Sequence, residues 1–326
     1  MNTSYRTVAV LQRHLRRAVS LSSYALLFPG QGSQYVGMTC KLQDLPGTRT
    51  IFRTAERVLG YDLQSLCLQG PREMLNQTVH CQPAVVVGSL VALQQLEAQS
   101  PEVLSGCTAA AGFSVGEITA LIFAEALSLE QGLQLIKTRA DCMQAACEEM
   151  SGSMLSVVGL ETEVVQSLCD QANAATTPPP KVCIANYMFP RGLVVSGGSD
   201  GVRCVEEGAV REGGVVKQVA VSGAFHSSLM SSAVPKLTRL LETMDVTMPR
   251  LSVISNVTGR PYSSVEEIRQ LLADQVTQPV LWEASLRGIL DNGPLTFVEV
   301  GPNKQLKTIL KRINRDAFKS CISVTV

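Results

Sequence analysis

The chain has 326 residues, of which 45% are hydrophobic and 17% are charged, so it can bury a large core and is not an intrinsically disordered protein. Its 28 basic and 28 acidic side chains balance, which argues against a dedicated nucleic-acid-binding protein. Its ten cysteines are scattered without a C-x-x-C pair, which predicts reduced thiols and argues against a metal site.

The N-terminal segment has the composition of a mitochondrial presequence. It contains four arginines and several hydroxyl residues but no acidic side chain, and Val8, Leu11, Leu15 and Val19 fall on one face of a helix. A basic N-terminal helix of the mature protein is the alternative. We predict a presequence at residues 1–23, which would direct the protein to the mitochondrial matrix.

Short apolar strands and helices alternate in the next part of the chain. Up to residue 150 the predicted elements are a strand entering a glycine-rich loop (25–34), helices near 48–60 and 83–98, a strand, turn and helix around Ser114, and a helix from Ser128 to about Cys147. The apolar run 84–93 is too short to span a bilayer, so no membrane association is expected.

A different pattern follows. The predicted elements are strands over 154–160, 181–187, 192–198 and 215–222 with helices over 161–173 and 199–210, then a helix (228–243), a strand (251–256), a helix (264–275) and a strand (296–300). The order β-α-β-β-α-β is that of the ferredoxin-like split unit. We therefore predict an α/β catalytic subdomain over 24–150 and 223–326, interrupted by a ferredoxin-like α+β subdomain over 151–222.

Ser114 lies in a G-x-S-x-G motif, Gly112-Phe113-Ser114-Val115-Gly116. In this motif the glycines let the chain turn sharply between a strand and a helix, which exposes the serine oxygen as a nucleophile. A short motif of this kind also occurs by chance, and Ser114 would then be a polar residue in a tight turn. A general base, oxyanion donors and a substrate anchor are needed to decide.

His226 is the candidate general base. Of the three histidines, His14 lies in the predicted presequence and His80 follows a turn-like segment, whereas His226 lies where the inserted subdomain returns to the main one. Clefts form at such junctions. No acidic residue, Glu117 included, is well placed in the sequence to orient this histidine, and a backbone carbonyl would suffice.

Gln31 and Val115 are the candidate oxyanion donors. Val115 follows the nucleophile at a helix start, and the glycines of PGQGSQ free the Gln31 backbone to point its N–H inward. A phosphate-binding loop is the alternative for PGQGSQ, but that segment lacks the Gly-Lys-Ser/Thr ending of a P-loop.

Arg139 is the candidate substrate anchor. It shares a helical stripe with Leu135 and Cys142, and a guanidinium on a partly apolar face needs an anionic partner. The partner could be an internal carboxylate, in a structural salt bridge, or the carboxylate of a substrate. The spacing alone leaves both alternatives open.

Six motifs taken in order, FPGQGSQYVGM, GFSVGE, IKTRADCMQ, GAFHSSLM, SNVTG and VEVGPNKQL, resemble those of malonyl-CoA:acyl carrier protein transacylases, and the presequence resembles mitochondrial members. The resemblance runs from Ala25 to the C-terminal strand. It implies an α/β-hydrolase-like parallel-sheet core with a ferredoxin-like insertion. It also implies transfer of malonyl from malonyl-CoA to the phosphopantetheine thiol of acyl carrier protein, through a malonyl-serine, for fatty acid synthesis. No cofactor is expected, and we expect a monomer.

The resemblance gives each site residue a role. Ser114 is acylated, His226 is the base, Gln31 and Val115 hold the oxyanion, Arg139 binds the malonyl carboxylate, and Phe225 crowds a carbon that carries an extra methyl. Two positions depart from the family pattern, Phe113 for the usual histidine and Gln278 for a frequent asparagine. We expect Phe113 to make the turn drier.

Two other functions use the same residues differently. A serine esterase or thioesterase would need the Ser-His pair but not Arg139, and a non-catalytic scaffold would need none of them. A further expectation concerns docking: Lys304, Lys307, Lys311 and Arg315 could attract an acidic carrier protein, although such a basic face is more often simply solvated.

Overall fold

The computed structural model describes residues 23–175 and 181–326. The predicted presequence therefore lies outside the described residues, as does His14, except that Ser23 forms the start of the first strand. Residues 176–180 of the proline-rich loop are also outside the described part.

The elements follow the predicted alternation of strands and helices. The strands are β1 (Ser23–Phe28), β2 (Cys107–Gly112), β3 (Gly152–Val158), β4 (Cys183–Phe189), β5 (Gly192–Gly198), β6 (Val215–Gln218), β7 (Ser252–Ile254), β8 (Leu295–Val300) and β9 (Ile322–Val324). The α-helices are α1 (Pro46–Leu59), α2 (Leu63–Gln69), α3 (Arg72–Leu75), α4 (Thr78–Gln99), α5 (Pro101–Ser105), α6 (Gly116–Phe123), α7 (Leu129–Glu149), α8 (Thr162–Ala174), α9 (Ser199–Arg211), α10 (Val234–Thr243), α11 (Val265–Asp274), α12 (Trp282–Asp291), α13 (Gln305–Ile313) and α14 (Arg315–Ser320).

The larger subdomain contains a five-stranded sheet in the order β7-β2-β1-β8-β9, in which every pairing is parallel. Successive side chains of β1 point to opposite faces, so Leu26 and Phe28 pack with α4 and α6 while Ala25 and Leu27 pack with Trp282 of α12. Helices thus cover both faces, as a buried parallel sheet requires. The predicted α/β fold class is confirmed.

Helix α4 is longer than predicted, because it begins at Thr78 rather than at Pro83. A proline has no N–H to donate to the carbonyl four residues earlier, and here the Val79 carbonyl accepts a 3.4 Å hydrogen bond from the Tyr61 hydroxyl instead. By length and composition α4 could cross a membrane, but 78% of its most apolar window is buried in the protein, which is typical of a core helix. The extra turn carries Gln82 into the interior.

The smaller subdomain has the predicted ferredoxin-like order. Its sheet runs β4-β5-β3-β6, every pairing is antiparallel, and helices α8 and α9 pack on it. Strand β6 is shorter than predicted and ends at Gln218, because residues 219–221 leave the sheet to line a cleft. The predicted helix 228–243 is also divided: a 3₁₀ turn (Ser228–Ala233) precedes α10, whose first turn contains Pro235.

Candidate active site

The G-x-S-x-G segment forms a sharp turn between β2 and α6. Ser114 has φ of 52°, in the left-handed region that side chains rarely adopt, so the turn holds the serine in a strained conformation. A Cβ at Gly112 would lie 1.9 Å from the Gly116 carbonyl carbon, and a Cβ at Gly116 would lie 2.4 Å from the Phe28 oxygen. Both glycines are therefore required for the close packing of strand and helix.

Ser114 and His226 form a hydrogen-bonded pair. The Ser114 Oγ to His226 Nε2 distance is 2.8 Å, and both side chains are buried. On the other side of the ring, Nδ1 lies 2.8 Å from the Gln275 carbonyl oxygen and 3.2 Å from that of Gln278. A carbonyl can only accept, so Nδ1 carries the proton and Nε2 is free to accept the serine proton. Backbone carbonyls thus orient the histidine.

The environment of His226 keeps its imidazole neutral. Burial lowers the pKa of His226 to about 4, and the nearby positive charge of Arg139 adds to this effect. The two carbonyls that accept from Nδ1 act in the opposite direction. At neutral pH the ring is therefore an unprotonated base in contact with the serine hydroxyl.

Arg139 lies beside the same hydroxyl and is only 2% exposed. Its Nη2 donates to Ser114 Oγ at 3.0 Å and to the Gln275 side-chain oxygen at 2.8 Å, and its Nη1 donates to Gln82 Oε1 at 2.6 Å. Among the described residues no carboxylate forms a salt bridge with it. Burial lowers the pKa of Arg139 to about 10, so it remains a cation at neutral pH.

Asn256 supports the turn from β7. Its side-chain oxygen accepts from the Ser114 N–H at 2.7 Å, and its side-chain nitrogen donates to the Gly112 carbonyl at 2.8 Å. These two bonds hold the strained backbone on both sides. The sequence contained Asn256 in the SNVTG motif but gave no sign of this contact.

The sequence also gave no sign of the buried hydrogen-bond network around Glu117. Glu117, in the first turn of α6, is 1% exposed and accepts hydrogen bonds from Tyr262, from Gln275 and from the Asn256 N–H. Burial raises the pKa of Glu117 to about 7, while these donors act to lower it. Sequence reasoning was right that Glu117 does not touch the histidine, but it did not predict this network.

Ser114, His226 and Arg139 line a cleft of about 480 Å³ between the two subdomains. Gln31, Ser114, Arg139, Phe225 and His226 all line it. The small subdomain contributes the opposite wall, which consists of Met154, Ser156, Asn186, Met188, Val194, Lys217, Gln218, Val219, Ala220 and Val221. The reactive side chains therefore lie on one wall of the cleft, and the other wall mixes apolar and polar side chains.

Val115 and Phe113, the predicted oxyanion donor and the departure from the family pattern, lie on either side of Ser114. The Val115 side chain is buried, and its backbone stands at the N-terminal end of α6, directly after the nucleophile. Phe113 lines the cleft and packs edge-on against Trp282, with ring centroids 5.4 Å apart. An aromatic pair thus occupies the position where the family pattern has histidine.

The predicted basic docking face is only partly available. The Lys307 ammonium donates to the Cys321 carbonyl and lies over the Phe318 ring, so this lysine is committed to the fold. Lys304, Lys311 and Arg315 are exposed. Docking at Lys307 stays a prediction, and its ammonium is less available to a partner than the pattern indicated because it already donates within the fold.

Proteins named as malonyl transacylases are similar to this chain in sequence and in fold. The chain is 42% identical to the mitochondrial malonyl-CoA-acyl carrier protein transacylase of Mus musculus over 321 residues, 95% of this chain and 84% of the relative. It aligns with the solved malonyl CoA-acyl carrier protein transacylase of Coxiella burnetii at a TM-score of 0.86 and 32% identity, covering 93% and 94% of the two chains. A malonyl-transacylase solved in complex with its type II PKS acyl-carrier protein aligns at a TM-score of 0.85 and 31% identity, covering 94% and 96%.

The parallel core with its inserted antiparallel sheet, together with an acyl transferase domain model that matches residues 25–325, defines the class as an acyltransferase. At this identity and coverage, the chain belongs to the malonyl-CoA-acyl carrier protein transacylase family. The predicted resemblance and the predicted enzyme class are confirmed, and the esterase alternative gains no support. The mitochondrial prediction agrees with the mouse and human relatives, which are mitochondrial.

Proposed function

We propose that this enzyme moves a malonyl group from malonyl-CoA to the phosphopantetheine thiol of acyl carrier protein through a malonyl ester of Ser114. One observation carries the proposal: in a single cleft, Ser114 Oγ lies 2.8 Å from a neutral imidazole and 3.0 Å from a buried guanidinium. The first contact supplies a nucleophile and the second a site for a carboxylate. An esterase would need only the first.

In the acylation step, His226 Nε2 takes the Ser114 proton while the serine oxygen bonds to the thioester carbon of malonyl-CoA. The carbonyl oxygen becomes an oxyanion, which accepts from the backbone N–H groups of Gln31 and Val115. When the tetrahedral intermediate collapses, the carbon–sulfur bond breaks and the CoA sulfur takes the proton from His226. The product is malonyl-Ser114 with a neutral histidine.

In the transfer step the same groups work in reverse. His226 accepts the proton of the carrier protein's thiol, and the sulfur bonds to the ester carbon. As the carbon–oxygen bond breaks, Ser114 recovers its proton from the imidazolium. The carbonyls of Gln275 and Gln278 hold the ring in the required tautomer during both steps.

Two features of the malonyl group are selected, its carboxylate and its unsubstituted methylene. A malonyl carboxylate is one methylene from the ester carbonyl, so it stays beside the serine oxygen, where the Arg139 guanidinium lies. We propose that this cation takes the carboxylate bidentately. Phe225 lines the same cleft and limits substitution on the methylene, a filter worth only about 1–3 kcal/mol, so some methylmalonyl transfer is expected.

Cofactor use, oligomeric state, location and subdomain boundaries are proposed as follows. The site supplies its own nucleophile, base and oxyanion donors, so we propose that no cofactor takes part. We propose a monomer in the mitochondrial matrix, with residues 1–23 as the presequence, 24–150 and 223–326 as the catalytic subdomain, and 151–222 as the small one. Fatty acid synthesis is the use of the product that the family implies.

Radiolabelled malonyl-CoA tests the proposed intermediate. After acid quenching and peptide mapping, the label should be found on the peptide that contains Ser114, and added carrier protein should discharge it. Label on another peptide, or label that carrier protein does not remove, would contradict the proposal.

The low pKa of His226 predicts a particular pH dependence. A neutral fluorophosphonate should label Ser114 at a constant rate from about pH 8 to about pH 5, because the base is unprotonated throughout, and the rate should fall as the pH drops through about 4. Labelling followed by mass spectrometry measures this rate. A midpoint near the ordinary imidazole value would show that the ring is solvated in the free enzyme, against the buried geometry.

The exposed part of the basic face predicts a modest effect on carrier protein. We propose that Lys311 and Arg315 attract its acidic surface. The double variant Lys311→Glu/Arg315→Glu should raise KM for carrier protein by about two- to tenfold at low salt and leave acylation by malonyl-CoA unchanged. An unchanged KM would exclude this face as a docking surface.

A further inference from the structure

Arg139 is a buried cation whose contacts are all neutral. Its guanidinium donates to the side-chain oxygens of Gln82, Gln275 and Ser114, and no carboxylate among the described residues pairs with it. A buried charge without compensation is strongly destabilising. A compensating negative charge should therefore lie close by without touching the guanidinium.

Glu117 is that charge. Its side chain is buried, and hydrogen-bond donors approach both of its oxygens: the Tyr262 hydroxyl at Oε1, and the Gln275 amide nitrogen and the Asn256 N–H at Oε2. Oε2 can only accept from the two N–H donors that face it, and above its pKa of about 7 the Glu117 carboxyl is an anion. The proposed acylation and transfer steps make no use of it.

Gln275 connects the two charges through its side-chain amide. The amide oxygen accepts from Arg139 Nη2 at 2.8 Å, and the amide nitrogen donates to Glu117 Oε2. A guanidinium can only donate and a carboxylate can only accept, so this amide has one permitted orientation. The carboxylate at 117, together with the Ser114 carbonyl that accepts from the same amide nitrogen at 3.1 Å, therefore fixes the direction of the hydrogen bond from Arg139 to Gln275.

We propose that Glu117 is a positioning residue and remote counter-ion, which compensates the charge of Arg139 through the Gln275 amide and leaves the guanidinium without a direct ion pair, so that it can pair with the carboxylate of the acyl group. This inference rests on the proposed function of Arg139. In direct contact, Glu117 would occupy the donors that the malonyl carboxylate requires. With the Gln275 amide between them, Glu117 still compensates the charge of Arg139 but does not compete with the malonyl carboxylate for its N–H groups.

Glu117→Met tests the proposal, because it keeps the approximate length of the side chain but removes both carboxylate oxygens. The Gln275 amide nitrogen then loses this acceptor, so the amide can turn or move away, and Arg139 loses the acceptor that the amide oxygen provides. At pH 8, above the Glu117 pKa, kcat/KM for malonyl-CoA should fall about tenfold or more, mainly through KM. Labelling of Ser114 by a neutral fluorophosphonate, which does not need Arg139, should change by less than about threefold.

Three comparisons separate positioning from a general loss of structure. Gln275→Leu removes the connecting amide and should cause the same malonyl-selective loss, even if Glu117→Met fails to fold. Adding Glu117→Met to Gln275→Leu should then cost little more, because Glu117 acts through Gln275. Tyr262→Phe removes a donor from the other carboxylate oxygen but leaves the Gln275 contact, and should affect malonyl selectivity least.

An equal fall in malonyl transfer and fluorophosphonate labelling, additive losses in the double variant, or undiminished malonyl transfer would each overturn the inference. If the wild-type enzyme itself did not transfer malonyl, the proposed function would fail instead. The two failures are thus distinguishable in one set of assays.

Discussion

Ser114→Ala is expected to abolish the acyl-enzyme and to lower malonyl transfer by about four orders of magnitude or more. The hydroxyl is the atom on which His226 and Arg139 converge, at 2.8 Å and 3.0 Å, and alanine offers nothing that can be acylated. Steady-state transfer from malonyl-CoA to carrier protein and acid-stable labelling of the protein measure the two losses.

The fold should survive this change. The Ser114 backbone, rather than its side chain, is held by Asn256 and by the Gln275 side chain, so alanine keeps these contacts. Its melting temperature should therefore stay close to that of the wild type. Ser232→Ala, on the exposed side of the 3₁₀ turn, is a matched control that should keep full activity. Residual labelling of Ser114→Ala at the wild-type level would place the nucleophile elsewhere.

The sequence predicted the parts of the site that carry a local signature. Ser114 was found from the glycines around it, His226 from its place at a subdomain junction, and Arg139 from a charge on an apolar stripe. Each signature reflects a local requirement, such as a sharp turn or an otherwise costly burial. The alternation of strands and helices gave the two sheets for the same reason, since their apolar patterns are local.

The side chains that hold Ser114 and Arg139 in place had no local signature in the sequence. Gln82 reaches Arg139 only because α4 begins before Pro83, and Gln275 reaches three groups only because the end of α11 packs under the turn. An isolated glutamine or asparagine in a sequence is normally a surface residue. Lys307 differs in the opposite direction, because a residue that looks exposed by pattern is half-buried, donates to the Cys321 carbonyl and lies over the Phe318 ring.

The site combines strain and burial in a way that suits acyl transfer. Ser114 and His226 both have positive φ, 52° and 56°, and the surrounding hydrogen bonds hold them there. The same burial that lowers the pKa of His226 leaves Ser114 only 9% exposed, which limits the access of bulk water to its oxygen. Transfer to a thiol can then compete with hydrolysis, which an esterase would favour.

Arg139→Ala is expected to convert a malonyl-selective enzyme into a poor and unselective one. Loss of a buried, charge-assisted contact costs about 2–5 kcal/mol, so kcat/KM for malonyl-CoA should fall by about 30-fold to several thousand-fold. Acetyl-CoA has no carboxylate for the guanidinium, so its transfer should change far less. The ratio of the two kcat/KM values, rather than either value alone, measures the contribution of Arg139 to selection.

The neutral fluorophosphonate checks that the nucleophile is intact in Arg139→Ala. Because the Ser114–His226 bond does not involve Arg139, labelling should persist, and loss of the nearby positive charge should raise the pKa of His226. Lys137→Ala is the matched control on the same helix, since Lys137 donates to the Val58 carbonyl and lies away from the cleft. Equal losses for malonyl and acetyl transfer would mean that Arg139 only supports the fold, and the malonyl carboxylate would then have to bind elsewhere.

Arg139→Lys distinguishes the charge of the guanidinium from its geometry. Lysine retains a cation without the planar pair of donors, so partial recovery of malonyl transfer relative to Arg139→Ala would show that both contribute.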